Sequence, residues 1–267
     1  MSSVQAPQVS LADQIQGNPI VNDLVITVAT ANGSGSQTSN NTMLRAIFNM
    51  GVPVSGKNMF PSNIQGLPTW FTIRANKDGW MGRRRMADVT VCMNPDTAQQ
   101  DAITARPGSV LIYEDSLPLK GVGKNLVEYA VPFKKLVAEC CDNAKLRKLV
   151  VNMIYVGVCC ELFGIDMAKA KEALTKELKG KQKAVELNVP ALEHGAKWAR
   201  ENLKKQDRYR VSPLNKTSGQ IIITGNEASA LGAMYGGVTV LAWYPITPSS
   251  SVCESVIEFC EEFRNDP

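Results

Sequence analysis

The feature that most restricts the fold is an uninterrupted succession near the N-terminus. The β-branched run Leu24-Val25-Ile26-Thr27-Val28-Ala29 leads through Asn32-Gly33-Ser34-Gly35-Ser36 into Thr38 to Met50, a stretch with Met43, Leu44, Ile47 and Phe48 on one side. A short apolar run bounded by turn residues predicts a buried strand, and the apolar spacing after it predicts a helix. Strand, glycine loop and helix together open an α/β fold. Further strands are expected at Thr69–Ala75, Val89–Met93 and Ser109–Tyr113, with a helix over Asp96–Ala105 between the last two. That rhythm implies a parallel pair. From Lys134 to Lys204 the pattern is almost wholly helical, in three or four segments divided near Gly164 and Gly180.

Composition limits what such a chain can do. The 267 residues are 44% hydrophobic and 20% charged, which is globular. The 29 basic and 25 acidic residues leave a charge of +4, too mild to imply nucleic acid. The longest apolar run, Leu149 to Phe163, is broken by Asn152, Gly157 and Glu161, so no membrane span is expected. The first twenty residues lack a basic start and an apolar middle, so no secretory signal is expected and the cytoplasm is the default compartment. The lysines between Lys169 and Lys183 read as a solvated helix face, and the triplet Arg83-Arg84-Arg85, just after Gly79 and Gly82, as a place to meet an anion or a partner.

The seven cysteines contain no CxxC pair and are expected to be reduced, packed thiols, with no metal site on this chain. The single histidine, His194, falls in an amphipathic segment from Val189 to Lys204 and reads as a helix-face residue. A chain so equipped is poorly suited to acid–base or nucleophilic work alone, so any chemistry belongs to a cofactor or another chain.

Residues 205–218 are polar with a proline and read as a linker, after which the pattern restarts. Ile221-Ile222-Ile223 precedes Gly225-Asn226-Glu227 and an Ala/Gly-rich helix to Gly236; Val238–Trp243 is an expected strand; Ser249 is the expected N-cap of a helix to Arg264. One strand and two helices cannot close a core, so the chain is expected to stop inside a domain that continues elsewhere. Two constellations could carry function. The Gly33–Ser36 loop suits either a phosphate or acidic ligand at a helix N-terminus or a plain tight turn. In Tyr244-Pro245-Ile246-Thr247-Pro248-Ser249-Ser250-Ser251 two prolines would hold Thr247 at the C-terminal edge of a strand, where α/β folds bind ligands.

Gly225-Asn226-Glu227-Ala228, followed eleven residues after Glu227 by Val238 and then by the Tyr244–Ser251 string, resembles the start of the pyrimidine-binding domain of 2-oxoacid:ferredoxin oxidoreductases. Upstream, the Gly33–Ser36 loop and Phe60-Pro61-Ser62-Asn63-Ile64-Gln65-Gly66 resemble that family's gamma domain, which its two-subunit members fuse ahead of the alpha domain. The resemblance implies a leader at 1–21, a gamma domain at 22–204 with a central mixed or parallel sheet flanked by helices, a linker at 205–218, and the beginning of a thiamine pyrimidine-binding α/β domain at 219–267. It implies conversion of a 2-oxoacid and coenzyme A to acyl-CoA, carbon dioxide and reduced ferredoxin, with 2-oxoglutarate favoured over pyruvate. Thiamine diphosphate with magnesium and the [4Fe-4S] cluster would lie mainly on a beta subunit, in a dimer of alpha–beta heterodimers.

On the same resemblance Thr247 sits beside thiamine and substrate, Tyr244, Pro245, Ile246, Ser249 and Ser250 frame that pocket, and Gly33, Ser34, Gly35, Ser36, Asn63 and Arg74 are candidates for coenzyme A. The family's loop carries glycines where Ser36 and Thr38 stand here. The glutamate that activates thiamine is expected beyond Pro267. Competing readings are a non-catalytic nucleotide- or coenzyme A-binding assembly subunit and a stand-alone nucleotide-binding dehydrogenase. The latter calls for an acidic residue about 20 positions beyond the glycine loop, and Met50–Lys57 supplies none.

Overall fold

The computed structural model describes residues 10–15, 17–61 and 64–264. It forms two units, Met1–Ser218 and Gly219–Pro267. The first unit is built on a six-stranded sheet of β2 (Asp23–Ala31), β3 (Val54–Met59), β4 (Pro68–Asn76), β5 (Val89–Cys92), β6 (Val110–Glu114) and β7 (Val127–Val131), in the order β3-β4-β2-β5-β6-β7. β2, β5, β6 and β7 run parallel, and β4 runs antiparallel to both β2 and β3. The chain leaves β2 through helix α1 (Ser36–Asn49) and returns on the sheet edge as β3, and the β3–β4 hairpin then sends β4 back between them.

Alternation assigns the two faces of this sheet. Phe71 of β4 meets Leu44 of α1 over Gly56 of β3, so the side chains of one parity face α1. α1 is backed by α4 (Ala144–Phe163) and α5 (Met167–Glu177), and α4 packs along α6 (Gln182–Asn202). α4 is buried from Met153 to Phe163, which explains why its apolar residues run all round the helix rather than along one stripe. On the opposite face Ala98 and Ala102 of α2 (Pro95–Thr104) pack on Cys92, Leu111 and Tyr113. Asn94 caps α2 by accepting from the Asp96 amide, and Pro95 fills the first turn, where its missing N–H costs nothing. α3 (Phe133–Cys140) joins β7 to α4. Among the described residues no helix is long and apolar enough to cross a membrane.

Two segments that read as polar connections are folded into this body. In the expected leader, Leu11 and Ala12 are buried in a 3₁₀ turn and the Leu11 amide donates to Glu161 Oε1 at 3.0 Å. β1 (Ile20–Val21) pairs in parallel with β8 (Tyr209–Arg210), which lies inside the expected linker. Lys205 is 3% exposed and Asp207 4%; Lys205 Nζ donates to Asp207 Oδ1 at 2.8 Å, to Leu162 O at 2.6 Å and to Tyr209 O at 2.9 Å. Tyr129 Oη donates to Asp207 Oδ2 at 2.8 Å. A charge can sit this deep only when paired and fully hydrogen-bonded, which is the case here.

In the second unit, α7 (Gly225–Tyr235) and α8 (Ser249–Phe263) pack together. A reciprocal capping box starts α7: Thr224 accepts from the Glu227 amide, and Glu227 accepts from the Thr224 amide. The strand expected at Val238–Trp243 does not form, and Ile221–Ile223 is likewise not part of a strand. Val240 is left 81% exposed. A strand exists through its hydrogen-bonded neighbours, and the apolar run encodes a burial that this segment alone cannot supply.

Candidate functional site

The glycine loop ends β2 and begins α1. Gly33 and Gly35 both take left-handed backbone, with φ of +79° and +78°. A Cβ at Gly33 would lie 2.9 Å from the Gln65 side chain, and one at Gly35 would lie 2.8 Å from Leu149 Cδ2. The loop is also held from outside. Asn152 Nδ2 donates to Ser34 O at 2.7 Å, the Asn32 amide donates to Leu67 O at 2.8 Å, and the Gly66 amide donates to Asn32 O at 2.9 Å. Because Gly35 is the N-cap, no side chain caps α1, and its first turn holds no acidic residue. The helix therefore presents uncompensated positive dipole at this end, the electrostatic requirement for receiving an anion.

The candidate residues divide here. Gly33, Ser34 and Gly35 lie together in the loop, and Ser34 Oγ is a buried hydroxyl without a hydrogen-bond partner. Ser36 is committed elsewhere, its Oγ 2.8 Å from Thr30 Oγ1, so it serves the packing of α1 on β2 rather than a ligand. Arg74 is also not part of the loop. It lies opposite Val25 in the register, whereas the loop follows Ala31, which lies opposite Pro68. At about 3.3 Å per residue this separates them by roughly 20 Å along the strands. Arg74 is 4% exposed, bridges Asp23 at 2.6 Å and donates to Ala75 O at 2.7 Å, as a buried structural cation does. Asn63 lies outside the described residues. Asn152, which sequence reading took only as a break in an apolar run, is the loop's principal clamp; a lone amide in the most buried helix was the available signal.

In the second unit the Tyr244–Pro248 edge is exposed, with Tyr244 76% and Ile246 58% accessible. Ser249 is the first residue of α8 rather than its N-cap, a position taken by Pro248. Its hydroxyl turns back on the edge, 2.8 Å from Tyr244 O and 2.7 Å from Ile246 O. Its one proton is shared between two carbonyls of a segment that has no strand neighbour, each of which also accepts a backbone amide. Asn226 Nδ2 braces the same turn from α7, donating to Pro248 O at 3.2 Å and to Ser251 Oγ at 2.6 Å. Thr247, between the braced residues, keeps a side chain with no hydrogen bond among the described residues and faces solvent. Ser250 is half-buried, its amide donating to Ile246 O at 3.2 Å. His194 is paired with Glu139, Nε2 to Oε2 at 2.9 Å, far along the chain from either candidate region. Among the described residues no group of three or more histidine, cysteine, aspartate or glutamate side chains is placed to hold a metal ion.

Comparison with known proteins accounts for both units. Residues 25–198 match the family model of pyruvate ferredoxin/flavodoxin oxidoreductase. The alpha subunit of 2-oxoacid:ferredoxin oxidoreductase 2 from Aeropyrum pernix is 21% identical over 85% of this chain and 42% of its own length. Ketoisovalerate oxidoreductase subunit VorA from Methanothermobacter marburgensis is 27% identical over 44% of this chain and 24% of its own. Among solved structures, 2-oxoglutarate:ferredoxin oxidoreductase from Magnetococcus marinus, with 2-oxoglutarate, coenzyme A and succinyl-CoA bound, superposes with a TM-score of 0.76 at 27% identity, over 92% of this chain and 42% of that one. A keto/oxoacid ferredoxin oxidoreductase gamma subunit from Geobacter sulfurreducens shares the fold at a TM-score of 0.54 and 18% identity, over 66% of this chain and 98% of its own. The chain thus spans less than half the length of the curated relatives it matches most fully, 42–44% of each. With a family model covering well over half of its residues, the chain belongs to the pyruvate ferredoxin/flavodoxin oxidoreductase family.

Proposed function

We propose that this chain supplies the gamma-type domain and the opening of the pyrimidine-binding domain of an enzyme that oxidatively decarboxylates a 2-oxoacid with coenzyme A, giving acyl-CoA, carbon dioxide and reduced ferredoxin. The substrate favoured is 2-oxoglutarate, since the 27% identical Magnetococcus structure holds that acid and its product. The single observation that carries the assignment is the braced Thr247 edge: Ser249 turns its hydroxyl onto its neighbours' carbonyls and Asn226 fixes its turn, while its own side chain is left unpartnered and exposed. A free hydroxyl on a fixed backbone fits the wall of a pocket for thiamine diphosphate and a 2-oxoacid, and fits a packing role poorly. Bound thiamine diphosphate supplies the nucleophile toward the substrate carbonyl and the electron sink for decarboxylation. Thr247 would donate to the substrate carboxylate, and the first amides of α8 would offset its charge. The diphosphate, the magnesium ion and the [4Fe-4S] cluster belong on a beta subunit, which ferredoxin approaches as electron acceptor. The cradle at Gly33–Gly35, with its orphan Ser34 hydroxyl and uncapped helix, suits a phosphate of coenzyme A.

The test is steady-state kinetics of the purified complex. Thr247→Val should lower kcat/KM for the 2-oxoacid by about 10–100-fold, the effect of one charge-assisted hydrogen bond. The unfolding temperature should not change, because the side chain is exposed. Thr247→Ser should recover most of the loss. Unchanged kinetics for the valine variant would remove Thr247 from the site.

A further inference from the structure

A cavity of about 640 Å³ opens on the α2 face of the first sheet, the face opposite α1. That volume is in the range of small-ligand sites. Its floor is threonine: Thr27 and Thr72 lie opposite each other on β2 and β4 with hydroxyls 3.2 Å apart, and Thr90 lies opposite Thr27 on β5. Trp70 forms one wall, and its Nε1 donates to Asp101 Oδ1 at 3.0 Å. The second oxygen of Asp101 is buried and has only the Thr97 hydroxyl near it, and burial raises that carboxyl group's pKa although hydrogen bonds from Trp70 and Thr97 oppose the shift. Arg83, Arg84, Arg85 and Arg106 ring the mouth. Two of these are spoken for: Arg84 bridges Asp23 at 2.7 Å and Arg106 bridges Asp88 at 2.7 Å. Arg83 and Arg85 are exposed and make no ion pair or hydrogen bond among the described residues. Arg83 also borders a neighbouring hollow beside Lys57, so the positive rim is continuous.

These groups ask different things of one ligand. Unpaired guanidinium groups at the mouth call for an anion of phosphate geometry. The indole wall calls for a planar, polarisable group. The Asp101 carboxylate calls for an N–H or O–H donor, which a fully ionised sulfate lacks at pH 7 and which a nucleotide supplies at its base and ribose. We propose that this cavity binds a nucleotide, with the base against Trp70, a base amino or ribose hydroxyl group donating to Asp101, and the phosphates held by Arg83 and Arg85. The site is separate from the glycine loop, which packs toward Leu149 and Asn152 of α4, on the helical side of the sheet.

The experiment is calorimetric titration of the full chain, as purified, with ADP and separately with inorganic pyrophosphate. ADP should bind, and more tightly than pyrophosphate. The double variant Arg83→Gln/Arg85→Gln, at exposed positions, should weaken ADP by about tenfold or more. Asp101→Asn, which keeps an acceptor available to Trp70, should weaken it by about fivefold. Ser34→Ala in the glycine loop should leave it unchanged. Thermal melting of each variant serves as the folding control. The proposal is overturned by no binding of ADP at about 1 mM. It is equally overturned by pyrophosphate binding as tightly as ADP, by an ADP affinity indifferent to the two arginines, or by an ADP affinity lost with Ser34→Ala.

Discussion

Replacing Lys205 by methionine removes one charge while nearly keeping the side-chain volume, and three hydrogen bonds go with it. Leu162 O and Tyr209 O lose this donor, and Asp207 Oδ1 keeps only the Tyr209 amide, all in buried surroundings. The Nζ also lies 4.8 Å from the centre of the Phe163 ring, a contact that methionine would largely replace. Breaking a buried pair by deleting one partner costs about 3–5 kcal/mol, because the surviving charge is left uncompensated. In a unit of this size 1 kcal/mol moves the midpoint by about 2–4 °C, so the first unit should melt about 6–20 °C lower. The readout is thermal unfolding followed by tryptophan emission, with Trp198 on α6 reporting from the affected unit. The double variant Lys205→Met/Asp207→Asn should recover part of the loss, since an amide at 207 keeps an acceptor for Tyr129 and sheds the stranded charge. A single variant melting within about 2 °C of the parent, or a double variant no better than the single, would refute the claim that this pair holds residues 205–211 in place.

Three further outcomes follow from the same contacts. Gly35→Ala should destabilise the first unit by at least about 1–2 kcal/mol through left-handed strain, with an added clash at Leu149; Gly35→Ala/Leu149→Ala should relieve only the clash, and an unchanged melting point would show the loop to be adaptable. Burial alone would raise the Asp23 carboxyl, but hydrogen bonds from Arg74, Asn76 and Arg84 outweigh it and hold Asp23 below its ordinary value of 3.8. Its stabilising share is therefore complete above about pH 4 and lost as pH falls through the lower folded value, so Asp23→Asn should flatten the acid limb of a stability–pH curve; parallel limbs would exclude it. Burial pushes the Cys159 thiol up to about 12 and raises Cys92 and Cys160 as well, so mass spectrometry after brief alkylation near pH 8 should find Cys260 modified and these three protected. Equal labelling would contradict their burial.

Local pattern carried the elements whose partners lie close in sequence or whose faces are strongly apolar. The run at Leu24–Ala29, the loop after it and the helix over Thr38–Met50 appear as β2, Gly33–Gly35 and α1 with boundaries moved by only a few residues. β3 was hidden because it is an edge strand whose Gly56, Lys57 and Asn58 are exposed, so it lacks the apolar alternation of a half-buried strand. The segment 205–218 read as a tether because charged residues normally seek water; that Lys205 meets Leu162 of α4, and Asp207 meets Tyr129 of β7, depends on contacts no local window contains. Arg74 was drawn toward the glycine loop by motif proximity, and only the register shows it at the far end of β4. Val238–Trp243 failed in the opposite sense, its pattern announcing burial that no neighbouring strand provides.

The same logic of pattern against surroundings bears on the sheet's α2 face. β2 is a central strand with β4 and β5 on either side, and such a strand normally carries apolar residues on both faces. On the α1 side it does, with Leu24, Ile26 and Val28 fully buried. On the other side Thr27 stands between Val25 and Ala29, level with Thr72 and Thr90. α2 packs on Cys92, Leu111 and Tyr113, while Thr27, Thr72 and Thr90 line the open cavity. Three adjacent hydroxyls in a sheet interior would each cost about 1–3 kcal/mol if sealed from any polar partner. Apolar β-branched residues would fill the same positions without that cost. Thr27 and Thr72 meet part of that demand with each other, and the remainder, with Thr90, falls to water or a polar ligand in the cavity, so Thr27→Val/Thr72→Val should raise the unfolding temperature while impairing whatever the cavity holds.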